Sequence, residues 1–185
     1  MDVPRSTTSA TEEQLDLGAS RLSRVLIGVC RVAVALMWIQ NVAWKHPPDF
    51  GNDTDPPRDL YKWTLNGVEH EVLGVWAWLT EHVILPNFLV FAWAAYLVEA
   101  CLGAFLLVGL ATRLWALIGL AQTTAITLSV LYAPHEWFWA YILIYVAHLA
   151  LLATAAGRAH GVDGVLRPVW RQRGGKLSRL LLRLS

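Results

Sequence analysis

Four long apolar runs restrict this chain to folds that place helices in a lipid bilayer. The runs cover residues 23–45, 87–108, 112–132 and 136–156, and about 20 mostly apolar residues are enough for a helix to cross the hydrocarbon core. They are too long and too uniformly apolar for barrel strands, and in lipid the backbone must satisfy its own hydrogen bonds. The sequence therefore predicts an all-α integral membrane protein, a four-helix bundle of four spans.

The composition favours the same class. Hydrophobic residues make up 56% of the 185 residues and charged residues 16%, whereas a soluble domain has about 25% charged residues. The net charge is +1, and no basic stripe is interleaved with aromatic residues, so nucleic acid is not an expected partner. Several of the ten tryptophans lie where a run ends, which is typical of the aromatic belts of membrane proteins.

Short links and the positions of Lys and Arg predict the topology. The second and third runs, and the third and fourth, are joined by links so short that neighbouring spans must be antiparallel. Eleven Lys and Arg residues lie on the side of both termini and three on the other side, so the positive-inside rule places both termini in the cytoplasm. We expect residues 1–22 to be a polar cytoplasmic tail that is not a signal peptide, residues 23–166 to be the membrane domain, and residues 167–185 to be a basic cytoplasmic tail.

The segment 46–86 then faces outward and has two parts. Residues 46–59 are rich in Pro, Gly and Asp, which indicates a loop. Residues 60–83 place apolar side chains from Val68 to Leu79 on one helical face. This pattern predicts an extracytoplasmic amphipathic helix that lies on the membrane surface or caps the bundle. In the cytoplasmic tail, residues 176–184 form a basic amphipathic piece, which either rests on anionic lipid or serves as a charged anchor.

Each predicted span carries one strongly polar side chain at a similar depth. An ionisable group inside a span costs roughly 3 kcal/mol or more to insert and usually marks a site or a buried pair. With a rise of about 1.5 Å per residue, the four polar residues lie about 12–15 Å from the cytoplasmic ends of their spans. We expect Arg31 to pair with Glu99, and Gln122, His148 and Tyr145 to supply the remaining hydrogen bonds. The pair either fixes helix register or forms part of a binding pocket.

The faces of the helices support an inward-facing Glu99. Tyr96 shares its face with small residues that allow close packing. Cys101 lies about 200° around the helix from Glu99, so Cys30 and Cys101 are expected to be small apolar packing residues more than a redox pair. The histidines outside the spans match no metal-binding spacing. The sequence contains no haem, flavin, nucleotide or hydrolase motif.

Four short motifs follow one another in a recognisable order: Arg31 early in the first run, Glu99-Ala-Cys-Leu-Gly103, Gly109-Leu-Ala-Thr-Arg113, and Ala156-Gly-Arg158 leading to Asp163. With them the chain resembles the DoxX/DoxD family of four-span bacterial membrane proteins over roughly residues 23–166. The resemblance implies a four-helix bundle in the bacterial inner membrane and a link to quinone, since the DoxD branch is a subunit of thiosulfate:quinone oxidoreductase. The outer insertion, residues 46–86, departs from the family pattern.

The leading hypothesis is a component of a quinone-linked membrane oxidoreductase. In it, Arg31 donates a hydrogen bond to a quinone carbonyl, and Glu99 or His148 exchanges protons. The other residues of the expected cofactor site are Gln122, Tyr145 and Tyr96. Electrons would come from a redox partner protein, because no redox motif is visible in this chain.

The alternative hypothesis is a non-enzymatic scaffold or assembly subunit. Its docking surface would be the outer helix, with Trp63, Trp76 and Trp78 as anchors. A third option, transport of a small anion past Arg31, requires a homo-oligomer because four spans form only a narrow pathway.

Overall fold

The computed structural model describes residues 7–185, with side chains from Ser20 onward, and the regular structure over this range is entirely helical. The predicted all-α class is confirmed. Within the same range, three helical stretches are long and apolar enough to cross a membrane: Ser20–Ala43, Gly74–Val108 and Thr112–Val130. A fourth apolar helix, Phe138–Thr154, has 17 residues.

The helices follow the predicted runs closely. Each predicted run contains one helix, and the helix boundaries over the last three runs differ from the predicted ones by at most two residues. The helices are α1 (Thr7–Ala43), α2 (Asp59–Glu69), α3 (Gly74–Leu79), α4 (Phe88–Val108), α5 (Thr112–Val130), α6 (Phe138–Thr154), α7 (Gly157–His160), α8 (Val162–Arg173) and α9 (Gly175–Leu184).

The four longest helices pack side by side in a ring. Helix α1 contacts α4 and α6, and α5 contacts the same two helices from the opposite side. Their shared core is apolar and includes Trp38, Leu102 and Leu151. Large apolar side chains such as Leu97 (55% exposed) and Val146 (57% exposed) point away from it. Exposed apolar surface of this extent on a bundle indicates contact with lipid.

The outer segment differs from its prediction. A single helix over residues 60–83 is wrong, because α2 ends at Glu69 and a new helix begins at Gly74. Helix α3 continues through a π-helical turn, Thr80–Ile84, and a short 3₁₀ turn into α4. The break is in the backbone, which leaves the helical conformation at His70 (φ −124°, ψ 59°) and is extended at Leu73 (φ −147°, ψ 121°). Helices α2 and α3 contact each other and both contact α5.

The last two helices fold against the end of the bundle where α4 ends and α5 begins. The predicted boundary between residues 166 and 167 falls inside α8. Arg167 donates to the carbonyls of Leu182 (2.8 Å) and Ser185 (3.0 Å), and Arg158 donates to the Ser185 carbonyl as well (2.9 Å). Residues 167–185 are therefore packed helices.

Candidate functional site

Three buried polar layers are set by a seven-residue spacing along the first span. Arg31 and Trp38 lie at this interval on α1, where two turns of helix return a side chain to nearly the same face. Lys45 follows at the same interval, just beyond the end of α1. Successive layers are therefore about 10 Å apart along the bundle axis. All three side chains are at least 95% buried. Each meets a different polar partner on the neighbouring helices.

The first layer contains Arg31, and the predicted ion pair between Arg31 and Glu99 is wrong. One guanidinium nitrogen of Arg31 donates to the carbonyl of Leu106 and, at 2.7 Å, to that of Leu107, and the other donates to the carbonyl of His160 at 2.9 Å. The last carbonyls of a helix have no partner within the helix and attract cations. Arg31 therefore stabilises the C-terminus of α4, about 10 Å below Glu99.

Asp163 completes this layer from the opposite direction. Its carboxylate accepts hydrogen bonds from the backbone N–H groups of Ala111 (2.7 Å) and Thr112 (2.9 Å), which begin α5. Asp163 is fully buried and acts as a cap supplied from more than fifty residues away. Between the two helix ends, Gly109 adopts a left-handed conformation with φ 71°, which glycine tolerates without strain. This first layer is a structural junction.

The middle layer contains His148. Its Nε2 accepts a hydrogen bond from the indole N–H of Trp38 at 3.0 Å, and its Nδ1 lies 2.8 Å from the carbonyl of Ile144. Because an indole N–H can only donate and a carbonyl can only accept, this geometry requires the neutral Nδ1–H tautomer. Both ring nitrogens are occupied, the side chain is fully buried, and His148 does not line the cavity described below. The geometry fits a packing role for His148 better than the predicted proton exchange.

Gly119 makes room for this imidazole, and we expect Gly119→Ala to destabilise the protein by about 1–3 kcal/mol, as overpacked cores usually do. A Cβ at this position would overlap the Nε2 and Cδ2 atoms of His148 and break its bond to Trp38. Gly28→Ala is the matched control, since a Cβ there meets its nearest atom at an ordinary 3.7 Å. Thermal unfolding of the two purified variants in detergent checks this. Equal midpoints would contradict it.

The outer layer is a buried cluster around Glu99. Lys45 forms an ion pair with one carboxylate oxygen of Glu99, and the side-chain amide of Gln122 donates to the other at 2.9 Å. The Lys45 ammonium also donates to the carbonyl of Asn41 at 2.9 Å and lies 4.5 Å above the ring of Trp44. Lys45 and Glu99 are 4% and 1% exposed. The prediction that Glu99 and Gln122 lie at the same depth is confirmed. The cation that pairs with Glu99 is Lys45 and not Arg31.

A cavity of about 720 Å³ opens above this cluster. It lies between the outer halves of α4 and α5, and α2 and α3 cover it. Its floor carries Lys45, Glu99 and Gln122, and its walls are mainly apolar and aromatic. Of the residues on its walls, Phe91 and Ala94 on α4 are exposed, so the cavity reaches the apolar outer surface. The size and lining are those of a site for a small organic molecule.

Further polar groups converge on the upper part of the cavity. Thr80, in the π-helical turn, is 1% exposed, and its hydroxyl has no hydrogen-bond partner. Such turns occur frequently at functional sites. The indole of Trp76 donates to Ser129 at 3.0 Å, and the hydroxyl of Tyr141 donates to Glu136 at 2.5 Å. An unpaired buried hydroxyl is costly, and that of Thr80 is enclosed by the surrounding protein atoms.

Two other predicted site residues lie outside this cavity. The hydroxyl of Tyr145 donates to Thr124 at 3.0 Å, and its ring lines a second cavity of about 500 Å³ between α5 and α6. Tyr96 packs edge-to-face against Phe50 and Trp93. The residues that the structure brings together are therefore Glu99 and Gln122. Arg31, His148, Tyr145 and Tyr96 are not among the residues that line the cavity.

Sequence reasoning missed Lys45 and Thr80. Lys45 follows the last helical residue of α1, so it was expected among the outer charges. The available signal was its spacing of seven residues from Trp38 and fourteen from Arg31. Thr80 carried no signal in the sequence, because its role depends on the π-helical turn.

No family model, curated protein or solved structure matches this chain. The site is therefore described by its own chemistry. Within the part of the chain that the structure describes, no group of His, Cys, Asp and Glu residues is arranged to hold a metal ion. At the floor of an apolar chamber, Lys45 donates hydrogen bonds, Glu99 accepts them and Gln122 does both, while only Lys45 and Glu99 can exchange a proton.

Proposed function

We propose that this protein is a four-span membrane protein of the bacterial inner membrane that binds a quinone headgroup in the outer cavity, as the membrane component of a quinone-linked oxidoreductase. The observation that carries the proposal is the buried Lys45–Glu99–Gln122 cluster at the floor of a mainly apolar cavity. The resemblance to the DoxX/DoxD family points the same way. Both termini would lie in the cytoplasm, with α2 and α3 on the outer side and α6 as the fourth span.

The chemistry of the floor suits a quinone carbonyl. An ammonium has three N–H donors, and Lys45 directs two of them to Asn41 and Glu99. The third remains for an acceptor in the cavity, and Gln122 has a second amide hydrogen to offer. When bound, a quinone would accept two electrons and two protons on reduction to the quinol. Next to the space it would fill, the Lys45 ammonium can give a proton and the Glu99 carboxylate can accept one, and electrons would come from a partner protein.

The walls suit the rest of such a molecule. Aromatic side chains from Trp44, Trp63 and Trp76 form part of the lining, and a flat conjugated ring can stack on such surfaces. The exposed side near Phe91 and Ala94 offers an exit for an isoprenoid tail into lipid.

The scaffold alternative finds less support. Two of its three proposed anchors, Trp63 and Trp76, line the cavity, and only Trp78 is largely exposed, at 56%. One exposed tryptophan is a small anchor for a partner protein, since interface hot spots cluster in pockets.

Filling the cavity is expected to abolish quinone binding while the bundle stays folded. Ala95 lies on the cavity wall, so Ala95→Phe would occupy the space of the ring. Because three tryptophans line the cavity, the binding of a short-chain ubiquinone analogue can be measured through the quenching of tryptophan fluorescence. We expect saturable quenching by wild type and a loss of at least about tenfold in affinity, or about 1.4 kcal/mol, in Ala95→Phe.

Ala104→Phe is the matched control, because Ala104 is an exposed residue of the same helix outside the cavity. Its binding should equal that of wild type. Wild-type protein that shows no saturable quenching, or Ala95→Phe that binds as tightly as wild type, would refute the proposal.

A further inference from the structure

The surface of α8 and α9 carries charge of one sign. Residues 162–185 contain six basic side chains and one acidic side chain, Asp163. Asp163 is fully buried and its carboxylate is used to cap α5. The positive charges on this surface therefore have no acidic neighbour within these two helices. Burial and the nearby charge of Arg171 lower the pKa of Arg167, and Asp163 opposes this shift.

One face of α9 combines these charges with exposed leucines. Lys176, Arg179 and Arg183 are spaced three and four residues apart, so they share one side of the helix, and all three are exposed. Leu177 and Leu180 border them and are 70% and 51% exposed. Ser178, on the opposite side, is buried. A face that mixes cations with unburied leucines matches both parts of a phospholipid, the anionic headgroup and the upper acyl chain.

The fold holds this face at one end of the long apolar helices. The backbone N–H of Asp163, in the first turn of α8, donates to the carbonyl of Gly109 at 2.9 Å, and Gly109 ends α4. Helix α9 also contacts α5, and Arg158 and Arg167 hold its last turn through the carbonyl of Ser185. The two helices therefore lie directly against the ends of the helices that are long enough to cross the membrane.

We propose that the Lys176–Arg179–Arg183 face of α9 is a binding surface for anionic phospholipid. The lysine and arginines contact the phosphate, and Leu177 and Leu180 enter the upper acyl region. Anionic headgroups attract basic residues near the membrane surface strongly enough that three of them account for a large change in affinity. This proposal is independent of quinone binding, which concerns the opposite end of the bundle.

Native mass spectrometry of the full chain in a neutral detergent tests the surface. We expect phosphatidylglycerol to bind saturably and phosphatidylcholine to bind much more weakly. In Lys176→Gln/Arg179→Gln/Arg183→Gln, the affinity for phosphatidylglycerol should fall by at least about tenfold. Leu177→Ser/Leu180→Ser should weaken it as well, because the acyl contact is lost. Circular dichroism confirms that each variant remains folded, and a variant that unfolds is replaced by its single substitutions.

The matched control is Arg21→Gln/Arg24→Gln, which removes exposed charge from the same end of the bundle and should leave the lipid affinity within about threefold of wild type. An equal loss in this control would overturn the assignment to α9 and indicate general attraction to positive charge. Displacement of the lipid by inorganic phosphate alone would overturn it in favour of a free-anion site. A triple variant that retains wild-type affinity would also overturn it.

Discussion

Glu99→Gln is expected to lower the free energy of unfolding by about 3–5 kcal/mol, because it leaves the ammonium of Lys45 buried without a counter-charge. Lys45 is 4% exposed, and its other partners are a single carbonyl and the face of Trp44. Neither neutralises the charge. Unfolding of the detergent-solubilised protein in increasing denaturing detergent measures the loss.

The double variant Lys45→Met/Glu99→Gln should recover most of this stability. Replacing both members of a buried pair by neutral groups of similar volume is often neutral or stabilising, and a glutamine at position 99 still offers an oxygen to the amide of Gln122. Glu81→Gln is the control, since Glu81 is 59% exposed and its contact with His82 is on the surface. That substitution should change stability by less than about 0.5 kcal/mol.

The same double variant separates structure from function. If the Lys45–Glu99 pair serves only to fix the helices, the stable double variant behaves as wild type in every binding assay. If the pair is the polar end of a quinone site, the double variant folds but no longer binds the quinone analogue. A Glu99→Gln protein as stable as wild type would show that the pair does not hold a buried charge, and the argument for its electrostatic role would fail.

The sequence predicted the parts of this fold that depend on length and hydrophobicity. The four apolar runs mark α1, α4, α5 and α6, because a continuous apolar run has few alternatives to a buried or lipid-facing helix. Glu99 and Gln122 were placed at one level because a helix has a fixed rise per residue. The first inference depends only on the length and hydrophobicity of a single segment, and the second only on the constant rise per residue of a helix.

The errors concern the partners of long side chains. Arg31 was assigned to Glu99 because both appeared equally deep, yet a guanidinium can reach several residues along the axis and prefers the free carbonyls at a helix end. Lys45 was counted as an outer charge because it follows the last turn of α1. Its flexible stem turns back into the bundle instead. Depth estimated from Cα positions does not include this reach.

The cavity was beyond sequence reasoning for a different reason. Its cover is made by α2 and α3, and the apolar pattern of residues 60–83 does not reveal that the backbone breaks between them at residues 70–73. The motifs that suggested a family resemblance have a clear physical role at the other end of the molecule. Arg31, Gly109, Gly157 and Asp163 meet in one junction, where a Cβ on Gly157 would lie 2.5 Å from the carboxylate of Asp163.

The second large loss of stability is expected at this junction. Asp163→Ala is expected to lower the free energy of unfolding by about 3 kcal/mol, since two buried backbone N–H groups at the start of α5 lose charge-assisted hydrogen bonds. Water has little access to replace them, because Thr112 and Asp163 are both fully buried. Asp163→Asn should cost less, since one carbonyl oxygen remains as an acceptor.

Hydrogen exchange shows which part of the protein is destabilised as well as by how much. In Asp163→Ala, the amides of the first turn of α5 should exchange faster than in wild type, while those around Glu99 in the middle of α4 keep their protection. Asp53→Ala, at an exposed position in the outer loop, is the control and should leave both regions unchanged. Uniform acceleration along all helices would instead mean that the carboxylate supports the whole bundle, and protection equal to wild type would mean that the α5 cap contributes nothing.

Because quinone binding is proposed at the opposite end, a folded Asp163→Asn protein should bind the analogue as wild type does. The stability of the junction and the chemistry of the cavity can therefore be measured separately.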